Sequence, residues 1–291
     1  MTRVPDFIIV GAAKSGTTSL ANYLAAHPFV EIVSDRLEFF GEYWNPAVGC
    51  MSMQEYLDKF ANIPNHVMAG EKSVSYLYSQ RAPHEIFRLN RQMKIFIILR
   101  DPVERAYSDY WHRRRTGVES LSFEDALVEE KKRIAAGARF ELHYASYGLY
   151  FSKVARYIDI FGPENVHVIR FEDLRNNPAF VCKQCFDFLG VEEYENESFY
   201  PVYNRGGKGT NSRLVLFLFR MAQNKRIVMA VRQGLPSSLR EKITSWMLSK
   251  IEAKKYPRMS SDMERKLRYF FLDDIVKLEN LLGWDLSRWK P

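Results

Sequence analysis

Cysteine is scarce in this chain, with three in 291 residues. Three thiols cannot build the disulfide framework of a small secreted scaffold, and a chain of this length buries enough core to do without one. Long apolar runs are missing as well. No stretch of about 18 uncharged apolar residues is present to span a bilayer, and the opening hexapeptide MTRVPD lacks the apolar segment of a secretory leader. The expectation is a soluble, cytoplasmic protein. Internal repeats, low-complexity tracts and Gly/Ser linkers are absent too, which predicts one domain over residues 1–291. Charge of one sign is in modest excess: 42 Lys+Arg against 35 Asp+Glu leave a net +7. That balance suits an anionic ligand or surface without selecting one.

What is present is a series of short β-branched and aromatic runs that read as buried strands. They are Phe7–Gly11, Lys94–Arg100 and Val166–Phe171, with a weaker run at His66–Glu71. Helical periodicity separates them at Ser19–Ala26, Val103–Arg115, Phe123–Ala136, Leu149–Phe161 and Ala179–Leu189. Gly162-Pro163 ends one helix and Asn176-Asn177-Pro178 opens the next. Continuous apolar strands alternating with helices predict an α/β fold, a central parallel sheet flanked by helices. In such sheets ligands bind beyond the carboxyl ends of the strands, so the residues after each strand are the informative ones. From about residue 212 the chain reads as mostly helical. It includes the apolar segment Leu214–Met221 amid Arg213, Arg220, Lys225, Arg226 and Arg232, and closes on Met263–Trp284. The apolar segment reads first as a core or lid helix, with a membrane-surface or partner helix as the alternative.

The first strand runs straight into Gly11-Ala12-Ala13-Lys14-Ser15-Gly16-Thr17-Thr18-Ser19 before a helix. Small residues let the backbone close around an anion. The helix N-terminus offers N–H groups and a positive dipole, and Lys14 and the hydroxyls add donors. This is a phosphate-binding loop in a strand–loop–helix setting. It lacks the Gly-Lys-[Ser/Thr] ending of the nucleoside triphosphatases, because Thr17 stands where that lysine belongs.

A second constellation follows the strand at Lys94: Arg100-Asp101-Pro102-Val103-Glu104-Arg105-Ala106-Tyr107-Ser108. Asp101 is suited to cap the helix, Pro102 to its first position and Glu104 to a capping box. Arg100 and Ser108 are candidates to converge on a second phosphate, Arg100 by a charge-assisted fork. His112 lies one turn beyond Ser108 on the same helical face, and an imidazole titrates near neutrality, so it is a candidate acid or base.

Together these residues resemble the sulfotransferases that use 3′-phosphoadenosine-5′-phosphosulfate (PAPS). Lys14–Ser19 looks like that family's 5′-phosphosulfate loop, and Arg100-Asp-Pro with Ser108 looks like its 3′-phosphate motif. The likeness extends to heparan-sulfate-type sulfotransferases and their bacterial relatives. Gly70-Glu-Lys-Ser-Val-Ser-Tyr76, the Phe39-Phe40 pair, the Lys208-Gly209 step and the closing Leu278–Trp289 fall in matching order. The resemblance implies a P-loop-like sulfotransferase fold and transfer of a sulfuryl group from PAPS to an acceptor hydroxyl or amine. The implied product is adenosine 3′,5′-bisphosphate, with no metal required. Lys14 would stabilise charge on the departing phosphate while Ser15, Gly16, Thr17, Thr18 and Ser19 fix it. Arg205, Lys208 and Gly209 of the basic loop Asn204–Asn211 would close over the nucleotide. The implied partner is a small-molecule or glycan acceptor, not nucleic acid; a carbohydrate or glycolipid comes first, a lipid-like or polyketide hydroxyl second.

Heparan-type members carry a catalytic glutamate three residues before the Phe-Phe pair, where this chain has Arg36. Glu38 directly before the pair is therefore a candidate base, with His112 as the other and Glu31 and Asp35 nearby. Lys72 is a candidate to act at the sulfuryl group or to orient an acidic acceptor, or else is paired with Glu71 or a neighbouring carboxylate. The rival readings are a P-loop kinase and a nucleotide-binding module without catalysis. Cys182-Lys-Gln-Cys185 has metal or redox spacing but lies in an amphipathic run with no second pair, so it reads as core. Phe140, Tyr144, Tyr147 and Tyr150 read as core packing, with ligand stacking as the alternative.

Overall fold

Phe7–Gly11 (β1) and Lys94–Leu99 (β4) are nearly unbroken apolar runs, and burial on both faces is what such runs require. In this computed structural model, which describes residues 3–33, 37–41, 51–136, 142–192 and 257–291, they lie side by side at the centre of one sheet. Val30–Ile32 (β2), Met68–Lys72 (β3) and Val166–Arg170 (β5) complete it, all parallel, in the order β2-β3-β1-β4-β5. Phe7 pairs in register with Gly70, where a Cβ would stand 2.2 Å from the Phe7 ring. Only glycine leaves room for that ring against β3.

Alternate residues of the central strands serve opposite faces. Phe7, Ile9, Phe96 and Ile98 pack with Leu20 and Leu24 of α1 (Thr17–Leu24), Leu174 of α7 (Phe171–Asn176), and Val181, Cys182 and Phe186 of α8 (Pro178–Leu189). Ile8, Ile95 and Ile97 alternate with them and are equally buried. Each such side chain contributes about 1.5–3 kcal/mol relative to exposure. α3 (Ala82–Leu89) and α6 (Phe151–Phe161) pack together through the edge-to-face rings of Phe87 and Phe161, 5.5 Å apart. The expected α/β architecture with a central parallel sheet flanked by helices is what forms. The sequence reading passes over β2, α2 (Met53–Asp58) and α3; β2 has three residues, too few to show a period.

The chain divides into two compact units. Met1–Arg105, Ser146–Asn204 and Leu267–Pro291 form the first, which holds the sheet. Ala106–Ala145 and Arg205–Lys266 form the second, with most of α4 (Pro102–Arg115) and all of α5 (Phe123–Ala135). In the second unit the buried Glu119 closes the α4–α5 connection. Its carboxylate accepts from Arg133 Nη1 at 2.6 Å, Tyr144 Oη at 3.0 Å and the Ser120 amide at 2.8 Å. In the first unit, α9 (Ser261–Leu282) supplies Asp274, which accepts from the amides of Tyr150 and Phe151 at 2.6 and 3.1 Å and so caps α6. Leu214–Met221 and most of the stretch read as helical from residue 212 lie outside the described residues. Among the described residues no helix is long and apolar enough to cross a membrane.

Candidate active site

The chain leaves β1 through a turn fixed by backbone bonds. Ala12 N–H donates to the Ile98 carbonyl at 2.8 Å, and Ala13 N–H donates to the Tyr78 hydroxyl at 3.0 Å. The Tyr78 ring is itself stacked on Tyr147 at 3.6 Å. Lys14 then adopts φ 69° and Gly16 φ 86°. Gly16 tolerates that conformation, and a Cβ there would press within 3.0 Å of the Phe171 ring. α1 begins at Thr17 with no side chain capping it, so its first turn presents donors and a positive dipole end. The Ser15 hydroxyl is fully buried and has no hydrogen-bond partner. A buried hydroxyl without a partner, beside an uncapped helix end, fits an anion that brings its own acceptors.

Arg100 follows β4 directly and belongs to the same place. Its Nη1 donates to the Lys14 carbonyl at 3.3 Å, and its guanidinium lies 4.8 Å over the Phe171 ring. Nε and Nη2 donate to Glu104 at 3.2 and 2.7 Å. Of the expected capping box the Asp101 half is present, and the Glu104 carboxylate holds Arg100. Asp101 does cap the helix: Oδ1 accepts from the amides of Val103 and Glu104 at 2.8 and 3.2 Å, and Oδ2 accepts from Arg268 at 3.2 Å. Burial raises the Asp101 and Glu172 carboxyls above their ordinary range. The Tyr150 hydroxyl donates to the Arg100 carbonyl at 3.0 Å, fixing the backbone that carries the guanidinium.

Lys72, at the end of β3, donates from Nζ to Thr18 Oγ1 at 3.2 Å, so a third cation reaches the glycine turn. Neighbouring strand residues point to opposite faces, and Glu71 is fully buried among hydroxyls. Glu38 is nearly buried, has φ 46°, and donates its N–H to Ser73 Oγ at 3.0 Å. Lys14 and Glu38 are the only non-glycine residues with positive φ among the described residues. Such strained backbones concentrate at functional sites. Glu31 is exposed on β2.

Ser108 and His112 lie on α4, one turn apart and both half-buried, in the second unit. Asp35, Arg36, Phe140, Arg205, Lys208 and Gly209 fall outside the described residues. Cys182 and Cys185 are free, buried thiols; burial pushes Cys182 up to about 12 and Cys185 well above the usual thiol range. Both are core residues, as their amphipathic setting predicts. Tyr144, Tyr147 and Tyr150 are buried as packing. Among the described residues no three His, Cys, Asp or Glu side chains gather as a metal site. The sequence reading misses Phe171, which its place directly after β5 could have marked, and the hydroxyl network of Glu71, which has no local signal.

A parallel sheet with an anion-binding turn after its first strand, joined by a strand-end arginine, defines a P-loop-like group-transfer protein. The chain belongs to the sulfotransferase family: the family model described as "Sulfotransferase domain" matches residues 4–273. It is similar to a crystallised sulfotransferase from Alicyclobacillus acidocaldarius, 29% identical, with a TM-score of 0.75 and 99% of each chain covered. Among curated proteins it is 28% identical to human bifunctional heparan sulfate N-deacetylase/N-sulfotransferase 3, over 99% of this chain and 31% of that protein. It is 23% identical to human heparan sulfate glucosamine 3-O-sulfotransferase 3B1, over 98% of this chain and 65% of that protein. The chain thus spans about a third of the first of these relatives. Membership of this family is what the two phosphate-type motifs lead one to expect.

Proposed function

We propose that the enzyme transfers a sulfuryl group from PAPS to a hydroxyl or amine of a carbohydrate acceptor. The observation that carries this reading is the 3.3 Å bond between Arg100 and the Lys14 carbonyl. It joins two cationic sites at one strand-end cleft, as a donor with two separate phosphates demands. When bound, PAPS supplies the sulfuryl group and departs as adenosine 3′,5′-bisphosphate. Ser15, Gly16, Thr17, Thr18 and Ser19 surround the 5′-phosphate, with the Ser15 hydroxyl gaining the acceptor it lacks. Lys14 holds its ammonium where charge develops on the leaving oxygen. Arg100 takes the 3′-phosphate, exchanging Glu104 for a bidentate phosphate contact. Lys72 fixes the sulfuryl end, and Glu38 accepts the acceptor's proton, with His112 as the other base. The resemblance would give Arg205, Lys208 and Gly209, outside the described residues, the task of closing over the nucleotide.

The heparan sulfate names of the relatives support a carbohydrate acceptor. The free thiols Cys182 and Cys185 support a reducing compartment, the cytoplasm. Calorimetry tests the donor: adenosine 3′,5′-bisphosphate should bind better than ADP by about 1.5–3 kcal/mol, the worth of charged hydrogen bonds to the 3′-phosphate. Equal affinities would remove PAPS as the donor. Transfer of labelled sulfate from PAPS to a panel of amino sugars and oligosaccharides tests the acceptor class.

A further inference from the structure

The reading above leaves Glu71 without a task, yet it is the most elaborately bonded carboxyl near the site. It is fully buried at the end of β3. Tyr56 Oη donates to Oε1 and Ser73 Oγ donates to Oε2, each at 2.9 Å, and the Tyr76 hydroxyl bonds it as well. Two of these hydroxyls have a second partner. Ser73 Oγ accepts the Glu38 N–H at 3.0 Å, and Tyr76 Oη accepts the Phe40 N–H at 3.3 Å. Around them Phe40 meets Tyr56 and Tyr76 edge to face at 5.1 and 5.7 Å, and Phe39 stacks on Tyr56 at 4.8 Å.

A hydroxyl has one proton to give. Ser73 gives its proton to the Glu71 carboxylate, Tyr76 bonds both Glu71 and Ser73, and the lone pairs of the two hydroxyls accept the amides of Glu38 and Phe40. The carboxylate at position 71 therefore anchors the two hydroxyls on which the loop amides rest. A carboxamide offers one acceptor oxygen where the carboxylate uses two, so it cannot take the protons of Tyr56, Ser73 and Tyr76 together. The loop thus held contains Glu38 at φ 46°, a conformation that side-chain-bearing residues adopt only where the surroundings impose it.

We propose that Glu71 is a positioning residue for the acceptor base: through Ser73 and Tyr76 it holds the Glu38–Phe40 backbone in the left-handed turn from which the Glu38 carboxylate works. This rests on the reading of Glu38 as the base. Burial, reinforced by the neighbouring Glu38 charge and opposed by the three hydroxyls, brings Glu71 to about 7, so the carboxylate form that anchors both hydroxyls is available at neutral pH.

The experiment compares Glu71→Gln, Ser73→Ala, Tyr76→Phe and Glu38→Gln by steady-state kinetics with PAPS, by binding of adenosine 3′,5′-bisphosphate, and by amide hydrogen exchange. Glu71→Gln should lower kcat by roughly ten- to a hundredfold through misplacement of the base, with bisphosphate affinity held within about twofold. Amide exchange at Glu38 and Phe40 should quicken by at least about tenfold in Glu71→Gln, at Glu38 alone in Ser73→Ala, and at Phe40 alone in Tyr76→Phe. Wild-type kcat, unchanged exchange at both amides, or an equal loss of bisphosphate binding in Glu71→Gln each overturns the proposal. Should Glu71→Gln not fold, Ser73→Ala decides: lowered kcat with fast Glu38 exchange supports it, and wild-type values of either overturn it. Glu38→Gln separates the two readings. If it keeps wild-type turnover, the base assignment fails and takes the proposal with it. If it is inactive while Glu71→Gln behaves as wild type, only the positioning role fails.

Discussion

Beyond β1 and β4, cations converge on a turn built of small residues: Lys14 in a left-handed conformation, Arg100 over Phe171, and a buried Ser15 hydroxyl with no partner. One strand away, beyond β3, an anion is enclosed instead, and Glu71 has a hydroxyl on every side. The first region keeps its polar groups ready for a ligand, so its charge is half-exposed and its hydrogen bonding incomplete. The second completes its bonding internally and presents a shaped backbone rather than a charge. Lys72 and Glu71, adjacent in sequence, fall one into each region because strand residues alternate. An unsatisfied polar group marks a site of binding, and a fully satisfied one marks the support behind it.

The comparison breaks most visibly at Lys14. Lys14→Ala should cut kcat by about 10²–10³, the scale of losing one preorganised donor at developing charge, while circular dichroism stays that of the wild type. Near-normal turnover would show that the turn binds without acting. Next, Arg100→Ala should weaken adenosine 3′,5′-bisphosphate by about 1.5–3 kcal/mol, measured by calorimetry; indifference would take Arg100 out of the phosphate site.

The supporting region is tested by stability rather than turnover. Glu71 titrates near 7 in the folded protein and near the ordinary carboxyl value of 4.5 once unfolded. Between those values the folded state holds a proton that the unfolded state has released. Stability should therefore fall as pH rises from about 4.5 to 7, by on the order of 3 kcal/mol, and then level off. Urea titrations across that range should show the slope in the wild type and its loss in Glu71→Gln; parallel curves would mean that Glu71 is ionised throughout. The smallest effect belongs to the Arg100–Glu104 pair, whose glutamate is half-exposed. Glu104→Gln should change the urea midpoint by less than about 1 kcal/mol equivalent, and a larger loss would mean that the pair holds the fold together.

The central strands were legible because burial on both faces leaves a continuous apolar run, and the glycine turn because anion binding restricts composition at a strand–helix junction. Asp101 as a helix cap was legible for the same kind of local reason. The pairing of Glu104 with Arg100 was not legible, because the two come within reach only once strand and helix are both formed. The Glu71 network was not legible at all. It joins residues 38, 56, 71, 73 and 76, and their meeting depends on where a loop lands across the end of β3.

The cap that α9 places on α6 reaches further than helix stability. Asp274 grips the Tyr150 amide, the Tyr150 hydroxyl grips the Arg100 carbonyl, and Trp289 lies 6.4 Å from the Tyr150 ring. The family match ends at residue 273, one position short of that anchor. A chain trimmed to the family boundary would keep its five strands yet release the arginine fork at its root. Residues past the family boundary are thus linked, through Tyr150, to the backbone of an arginine more than 170 residues earlier.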